Sequence, residues 1–397
     1  MNRTAFCNAK LVLPDRVIDN GAILIRDKKI EDISEGRVSY EDVHIIDVQG
    51  CYLSPGFIDL HVHGGGGHDF MDGTVESFRK VCELHIQHGT TGLYPTTLAC
   101  TDDELFEMVT LLDKANIANK NGAAMLGLHL EGPYFSEGQR GAQDIKYLKK
   151  PAPEHWRKVL AMSENIRRWS MAPELEGALE LGEILKKHGI IAAVAHTDAT
   201  FEQTEEAVKH GFSLVTHLYS GMTGVRRIGA FRHAGTVEAG LYMDELSVEI
   251  ISDGCHLPAS LLKLIYKFKG ADKTALVTDA MRGAGCPEGK SIMGSLKNGQ
   301  EVVIEDGVAK LPDRTSFAGS VATADRLVRN MRDIAGVSLF DAVRMMSLTP
   351  AKIMGIESGK GSIEIGKDAD LIVFDDDINI KLSMVEGDVR FYEKTKS

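Results

Sequence analysis

Between residues 56 and 279 the sequence alternates short apolar runs with amphipathic stretches, and it does so eight times. The runs are Gly56–His63, Thr91–Thr97, Ala124–Glu131, Arg167–Pro173, Ile190–His196, Ser213–His217, Ser247–His256 and Thr274–Asp279. Near-continuous apolar runs suit strands buried on both faces, as in a parallel sheet covered by helices. The stretches between them carry helix punctuation. Val75–His88 stops at Gly89 and Ala178–His188 stops at Gly189, glycines placed to cap helix ends. Asp102–Asn119 follows a Thr101 N-cap and has an acid-rich first turn. Eight such units fit an α/β fold of the (β/α)8 TIM-like barrel type better than a doubly wound sheet.

The chain ends have a different texture. Lys10–Leu13, Gly21–Arg26, Lys29–Ile33 and His44–Val48 are short and strand-like, separated by Pro-Asp and Asp-Asn-Gly turn chemistry. Gly361–Ile365, Ala369–Phe374 and Asp388–Tyr392 look the same. The expected organisation is one small β-sandwich domain built from residues 1–54 and 351–397 around a barrel over residues 55–350.

With Lys plus Arg at 45 and Asp plus Glu at 57, the 397-residue chain carries a formal charge of −12. That balance argues against nucleic acid or an anionic membrane as the partner. No apolar run reaches the roughly 18 residues that span a bilayer. The first residues lack the apolar core of a secretion signal, so a cytoplasmic protein is expected. The six cysteines are scattered with no CxxC pair and are expected to be reduced thiols.

Six of the eight runs end in His, Glu or Asp, and in a barrel the C-terminal strand ends build the active-site face. His61 and His63 alternate along one strand and therefore face the same way. Glu131, His196, His217 and Asp279 close four other runs. Each has an ordinary reading by itself: a hydrogen-bonded core histidine, a helix N-cap for Asp279, an ion pair with Arg140 for Glu131. Together, imidazoles and carboxylates at separate strand ends point to a divalent metal site. Their donor chemistry suits Zn or Fe(II).

Here the motifs reach a resemblance. SPGFIDLHVHG with the barrel and the split β domain resembles the amidohydrolase superfamily. LHLEGPYF, AVAHTDA, THLYSGM, SDGCHLP, LVTDAM and FAGS, in that order, resemble the N-acetylglucosamine-6-phosphate deacetylase family, and GSIEIGKDADLIVFD fits the superfamily's closing β segment. The resemblance covers nearly the whole chain. It implies a main metal held by Glu131, His196 and His217, a second position at His61 and His63, and Asp279 as general base and then acid. It implies substrate contacts at Ala142, Gln143, Ser220, Gly221, His256, Phe317, Ala318 and Gly319, with a phosphate-binding arginine reaching a neighbouring subunit's site in a homodimer. The sequence departs from the family at that arginine. Ser220-Gly221-Met222 stands where the family has Asn-Ala-Met, and Arg232 or Arg227 is the candidate, against a plain reading as a solvated loop. The expected reaction is hydrolysis of the acetamide of N-acetyl-D-glucosamine 6-phosphate, an amino sugar phosphate, in amino sugar catabolism. The galactosamine epimer, a D-amino-acid deacetylase, an adenine deaminase, a cyclic amidase and a non-catalytic barrel are the alternatives. The fourth run lacks the lysine that a dihydroorotase-like enzyme needs.

Overall fold

The structure is a computed structural model that describes residues 3–36 and 42–393. Strands from both ends of the chain join in a single eight-stranded sheet. Its path runs Asp388–Tyr392, Ile380–Val385, Leu371–Phe374, Tyr52–Pro55, Arg3–Val12, Val17–Arg26, Lys29–Glu35, with His44–Asp47 also paired to Arg3–Val12. Phe6, Leu11, Ile23, Leu53, Leu371 and Leu382 share a core against this sheet. All four expected N-terminal strands and Asp388–Tyr392 are present. Gly361–Ile365 is not a strand. Its one core residue, Ile363, is 1% exposed, and the Lys367 amide donates to the Glu364 carbonyl, closing a turn. The alternation of Ile363 and Ile365 gives the segment its strand-like look, but Ile365 is 64% exposed and the segment turns instead. Tyr52–Pro55 and Ile380–Val385 were not anticipated.

All eight central runs overlap a strand: Phe57–Val62, Thr90–Pro95, Ala124–Met125 with Leu128–Glu131, Ile166–Met171, Ile191–Val194, Phe212–Val215, Ser247–Ile250 and Thr274–Leu276. Every pairing between neighbouring strands of this set is parallel. The first three and the last six fall in two ladders, counting the split third run in both. Single parallel bridges, Thr96 with His129 and Val62 with Ala280, link these ladders at both seams, so the parallel sheet curls.

The helix punctuation is observed. The helix Asp102–Ala118 opens with a reciprocal capping box between Thr101 and Glu104. Val75–His85 runs into a 3-10 turn that ends at left-handed Gly89, and Ala178–Lys187 ends just before left-handed Gly189. Two additions had no periodic signal: a hairpin of Arg226–Ile228 with Phe231–His233, and a three-stranded antiparallel sheet of Gly289–Met293, Gln300–Glu305 and Val308–Lys310. The six cysteines are free. No described helix is long and apolar enough to cross a membrane.

Candidate functional site

The strands are shorter than the apolar runs, and this decides how the polar residues are presented. His196, His217 and Asp279 lie just past their strands rather than on them. All three are in the left-handed region, with φ of +44°, +29° and +46°. Non-glycine residues pay for that conformation and keep it only where the surroundings demand it. Here it turns three side chains off the sheet toward one point.

Glu131 is that point. The Nε2 atoms of four histidines lie within 3.5 Å of its carboxylate: His217 at 3.1 Å and His196 at 3.3 Å from Oε1, His61 at 3.5 Å from Oε1, and His63 at 3.5 Å from Oε2. Asp279 Oδ1 faces the strand-one side, 3.1 Å from His63 Nε2 and 3.4 Å from His61 Nε2. Two ligand-like sets result, His61 with His63 and Asp279, and His61 with Glu131 and His217. The pairing of Glu131 with Arg140 does not form. Arg140 instead donates to the Gln143 carbonyl at 3.2 Å.

The electrostatics fit a cation. Burial pushes the Glu131 and Asp279 carboxyls up, but the surrounding histidines outweigh it and hold both below the usual carboxylate range. Burial likewise opposes charge on His63, yet Asp279 and Glu131 lift it to about 9, and the same balance raises His217. The two imidazole nitrogens of His61 and His63 stand 3.1 Å apart, so they cannot both carry a proton at that contact. The Nδ1 atoms of His61, His63 and His217 are buried without a hydrogen-bond partner in the protein. His196 differs, since its Nδ1 donates to the Gln139 carbonyl at 2.8 Å and leaves Nε2 as a lone pair. Lone pairs and carboxylates aimed at one small volume are the donor set of a divalent metal site.

This cluster floors a cavity of about 490 Å³. His63, Glu131, Ala142, Gln143, His196, His217, Ser220, Gly221, His256, Asp279, Phe317, Ala318 and Gly319 all line it, while His61 lies beneath them. Gln143 faces the floor as well as the cavity. Its amide nitrogen donates to Glu131 Oε2 at 2.8 Å, and its oxygen accepts from the Ala99 amide at 2.9 Å. His256 Nδ1 donates to Asp253 Oδ2 at 2.8 Å, and its ring packs 4.6 Å from that of Phe317. Two glycines are required by close approach. At Gly221, with φ +59°, a Cβ would stand 2.6 Å from His196 Nδ1; at Gly319, with φ +69°, it would stand 2.9 Å from the Asp279 carbonyl.

Arg227 and Arg232 do not line this cavity. They face each other across the exposed Arg226–His233 hairpin, beside exposed Val225, Ile228 and Phe231. The cations on the cavity wall are instead Lys310 and Arg314, which sequence reasoning missed. Lys310 Nζ contacts Asp306 at 2.6 Å and Arg314 Nε contacts Glu305 at 3.1 Å. Only their nearness to FAGS in the chain could have drawn notice.

The sequence profile of the amidohydrolase family matches residues 52–391. N-acetylglucosamine-6-phosphate deacetylase of Lysinibacillus sphaericus is 34% identical over 370 residues, covering 93% of this chain and 92% of that protein. N-acetylgalactosamine-6-phosphate deacetylase of Escherichia coli O157:H7 is 31% identical, covering 84% and 86%. A crystal structure of N-acetylglucosamine-6-phosphate deacetylase from Pasteurella multocida superposes with a TM-score of 0.90 at 31% identity, covering 98% of this chain and 99% of that one.

Proposed function

This chain belongs to the amidohydrolase family, and we propose that it hydrolyses the acetamide of N-acetyl-D-glucosamine 6-phosphate to D-glucosamine 6-phosphate and acetate. The observation that carries the reading is the convergence of four histidine Nε2 atoms on Glu131 beside Asp279, at the floor of a sugar-sized cavity. The similarity to deacetylases over nearly the full chain supplies the substrate class. We read the curled parallel sheet as a (β/α)8 barrel over residues 55–350. The sheet from both chain ends, residues 1–54 and 351–397, is then the small β domain.

Glu131, His196 and His217 would hold a main divalent ion, Zn or Fe(II), and His61 and His63 a second one on the other side of Glu131. Such an ion supplies a water of lowered pKa and an electrophile for the amide carbonyl oxygen. Asp279, ionised at neutral pH and open to the cavity, takes the proton of the attacking water on a carboxylate oxygen. It then delivers that proton to the departing amine nitrogen as the C–N bond breaks. His256, its ring fixed by Asp253 and Phe317, offers a polar edge to the substrate. Ala142, Ser220 and the Phe317–Gly319 turn close the cavity around the sugar.

Replacing His61 and His63 together with alanine is expected to lower the metal content per chain while some turnover remains. Elemental analysis checks the first part. An anomalous-scattering map with one ion, far from both histidines, would remove them from the ligand set.

We place the phosphate on Arg232, with Arg227 second, reaching the cavity of a second copy in a homodimer. Both arginines stand away from their own cavity on a hairpin with exposed apolar neighbours, which supports this. Arg232→Ala should raise KM for the 6-phosphate sugar about tenfold to a hundredfold, or ~1.5–3 kcal/mol for a lost charge-assisted contact. The unphosphorylated sugar should be little affected. If Arg314→Ala gives that pattern and Arg232→Ala does not, the phosphate sits on the chain's own wall. Acetate release across N-acetylhexosamines, with and without the 6-phosphate, tests the whole reading. Preference for the galactosamine epimer is the second reading, favoured by the Escherichia coli relative. No release from any phosphorylated amino sugar refutes both.

A further inference from the structure

Beneath the cavity floor lies a deeper polar cluster that the reaction above does not use. Arg168 and Glu249 come from the fourth and seventh central strands, and each is 0% exposed. The guanidinium grips the Glu249 carboxylate through both terminal nitrogens, with Nη2 to Oε2 at 2.7 Å. Nη1 also donates to the Leu60 carbonyl at 3.2 Å, and Nη2 donates to Thr216 Oγ1 at 2.8 Å. Leu60 directly precedes His61, and Thr216 directly precedes His217. One guanidinium therefore ties together the chain segments that carry two histidines of the site.

Glu249 then faces the site itself. Its Oε2 stands 3.9 Å from His61 Nδ1, and that nitrogen is buried with no hydrogen-bond partner. The opposite nitrogen, Nε2, points at Glu131, His63 and Asp279. A neutral ligating imidazole needs a lone pair on one nitrogen and a proton on the other, and the group facing the second nitrogen chooses which is which. A carboxylate behind Nδ1 favours the proton there and frees Nε2. The ion pair with Arg168 supplies the buried Glu249 carboxylate with an opposite charge inside the sheet. Because Arg168 neutralises the carboxylate's charge, Glu249 can orient the ring without drawing the proton off it. A purely structural ion pair seldom adds net stability to a core. It would explain the contacts of Arg168 but not a carboxylate behind the one unpartnered nitrogen of His61.

We propose that Glu249, anchored by Arg168, is a positioning residue for His61 that fixes its Nδ1–H tautomer and thereby sets the affinity of the His61–His63 side for a divalent ion. This rests on the reading of His61 as a metal ligand. The test is titration of the metal-stripped full chain with Co2+, following stoichiometry and the visible absorption of each bound ion. The wild type should take two ions. Glu249→Gln should weaken one of them about 10–100-fold, the usual worth of an outer partner of a ligating histidine, and leave the other unchanged. Because that variant leaves Arg168 buried without its partner, the paired change Glu249→Gln with Arg168→Met is measured beside it. The pair removes both charges and should melt near the wild-type temperature without metal while keeping the selective loss. Equal weakening of both ions, no weakening, or a wild type that takes a single ion overturns the proposal. Acetate release plays no part in this readout, so failure of the substrate assignment is seen separately.

Discussion

Asp279→Asn is expected to leave the protein folded and metal-loaded but to lower turnover about 10²–10⁴-fold, the range a positioned general acid–base contributes. Asparagine matches aspartate in size and tolerates the φ of +46° that this position imposes. The backbone around it is held from both sides. The Asp279 amide donates to the His61 carbonyl at 2.9 Å, and the Ser320 amide donates to the Asp279 carbonyl at 2.7 Å. The change therefore removes the proposed proton acceptor while keeping an amide oxygen able to stand beside His63 and His61. The amide cannot take a proton from water at neutral pH, and it cannot return one to the leaving nitrogen. Steady-state kinetics with metal analysis of the same sample checks this. Near wild-type turnover with full metal would reduce Asp279 to a backbone pivot, and loss of metal would make it chiefly a ligand.

Replacing His217 or His196 is expected to remove the main ion and bring turnover to the detection limit. Each presents Nε2 to the same oxygen of Glu131, so each is one of three groups that would define that position. With only three protein ligands, the loss of one leaves a pair that competes poorly for a divalent ion. Asparagine is again the better probe at His217, because a residue there must accept φ +29°. The fold should survive, since both rings point their Nε2 at the polar cluster around Glu131 rather than into the apolar core. Metal content, melting temperature and acetate release of each variant give the answer. Full metal with normal activity would remove that histidine from the site. A folded variant that keeps metal but loses activity would make it a substrate contact instead.

Local patterns carried much of this protein. A run such as Thr274–Asp279 is apolar because both faces of its strand are buried, and that holds whatever its neighbours are. Thr101 with Glu104 caps a helix through contacts three residues apart, so the signal lies within the chain itself. His61 and His63 share a face because strand side chains alternate. The Glu131, His196, His217 and Asp279 candidates could be picked out because each ends an apolar run with a metal-binding or proton-carrying group.

What local patterns could not supply was the meeting of groups far apart in sequence. His217 and Glu131 are 86 residues apart and meet only because the parallel sheet curls and three residues past strand ends adopt left-handed backbone. Gln143 read as a substrate contact, and only its distance to Glu131 shows that it also braces a ligand candidate. Arg168 stood as one residue of the fourth apolar run, with no role of its own. Its partner lies 81 residues on, and no periodicity predicts an ion pair inside an apolar sheet. The hairpin that carries Arg227 and Arg232 was invisible as structure, and its position away from the cavity follows from packing. Lys310 and Arg314 reach the cavity wall for the same reason. Hydrophobic period and turn chemistry are properties of neighbouring residues and determine which elements form. The register and curl that bring distant side chains within about 3.5 Å depend on the summed packing of all those elements, and only the folded chain expresses them.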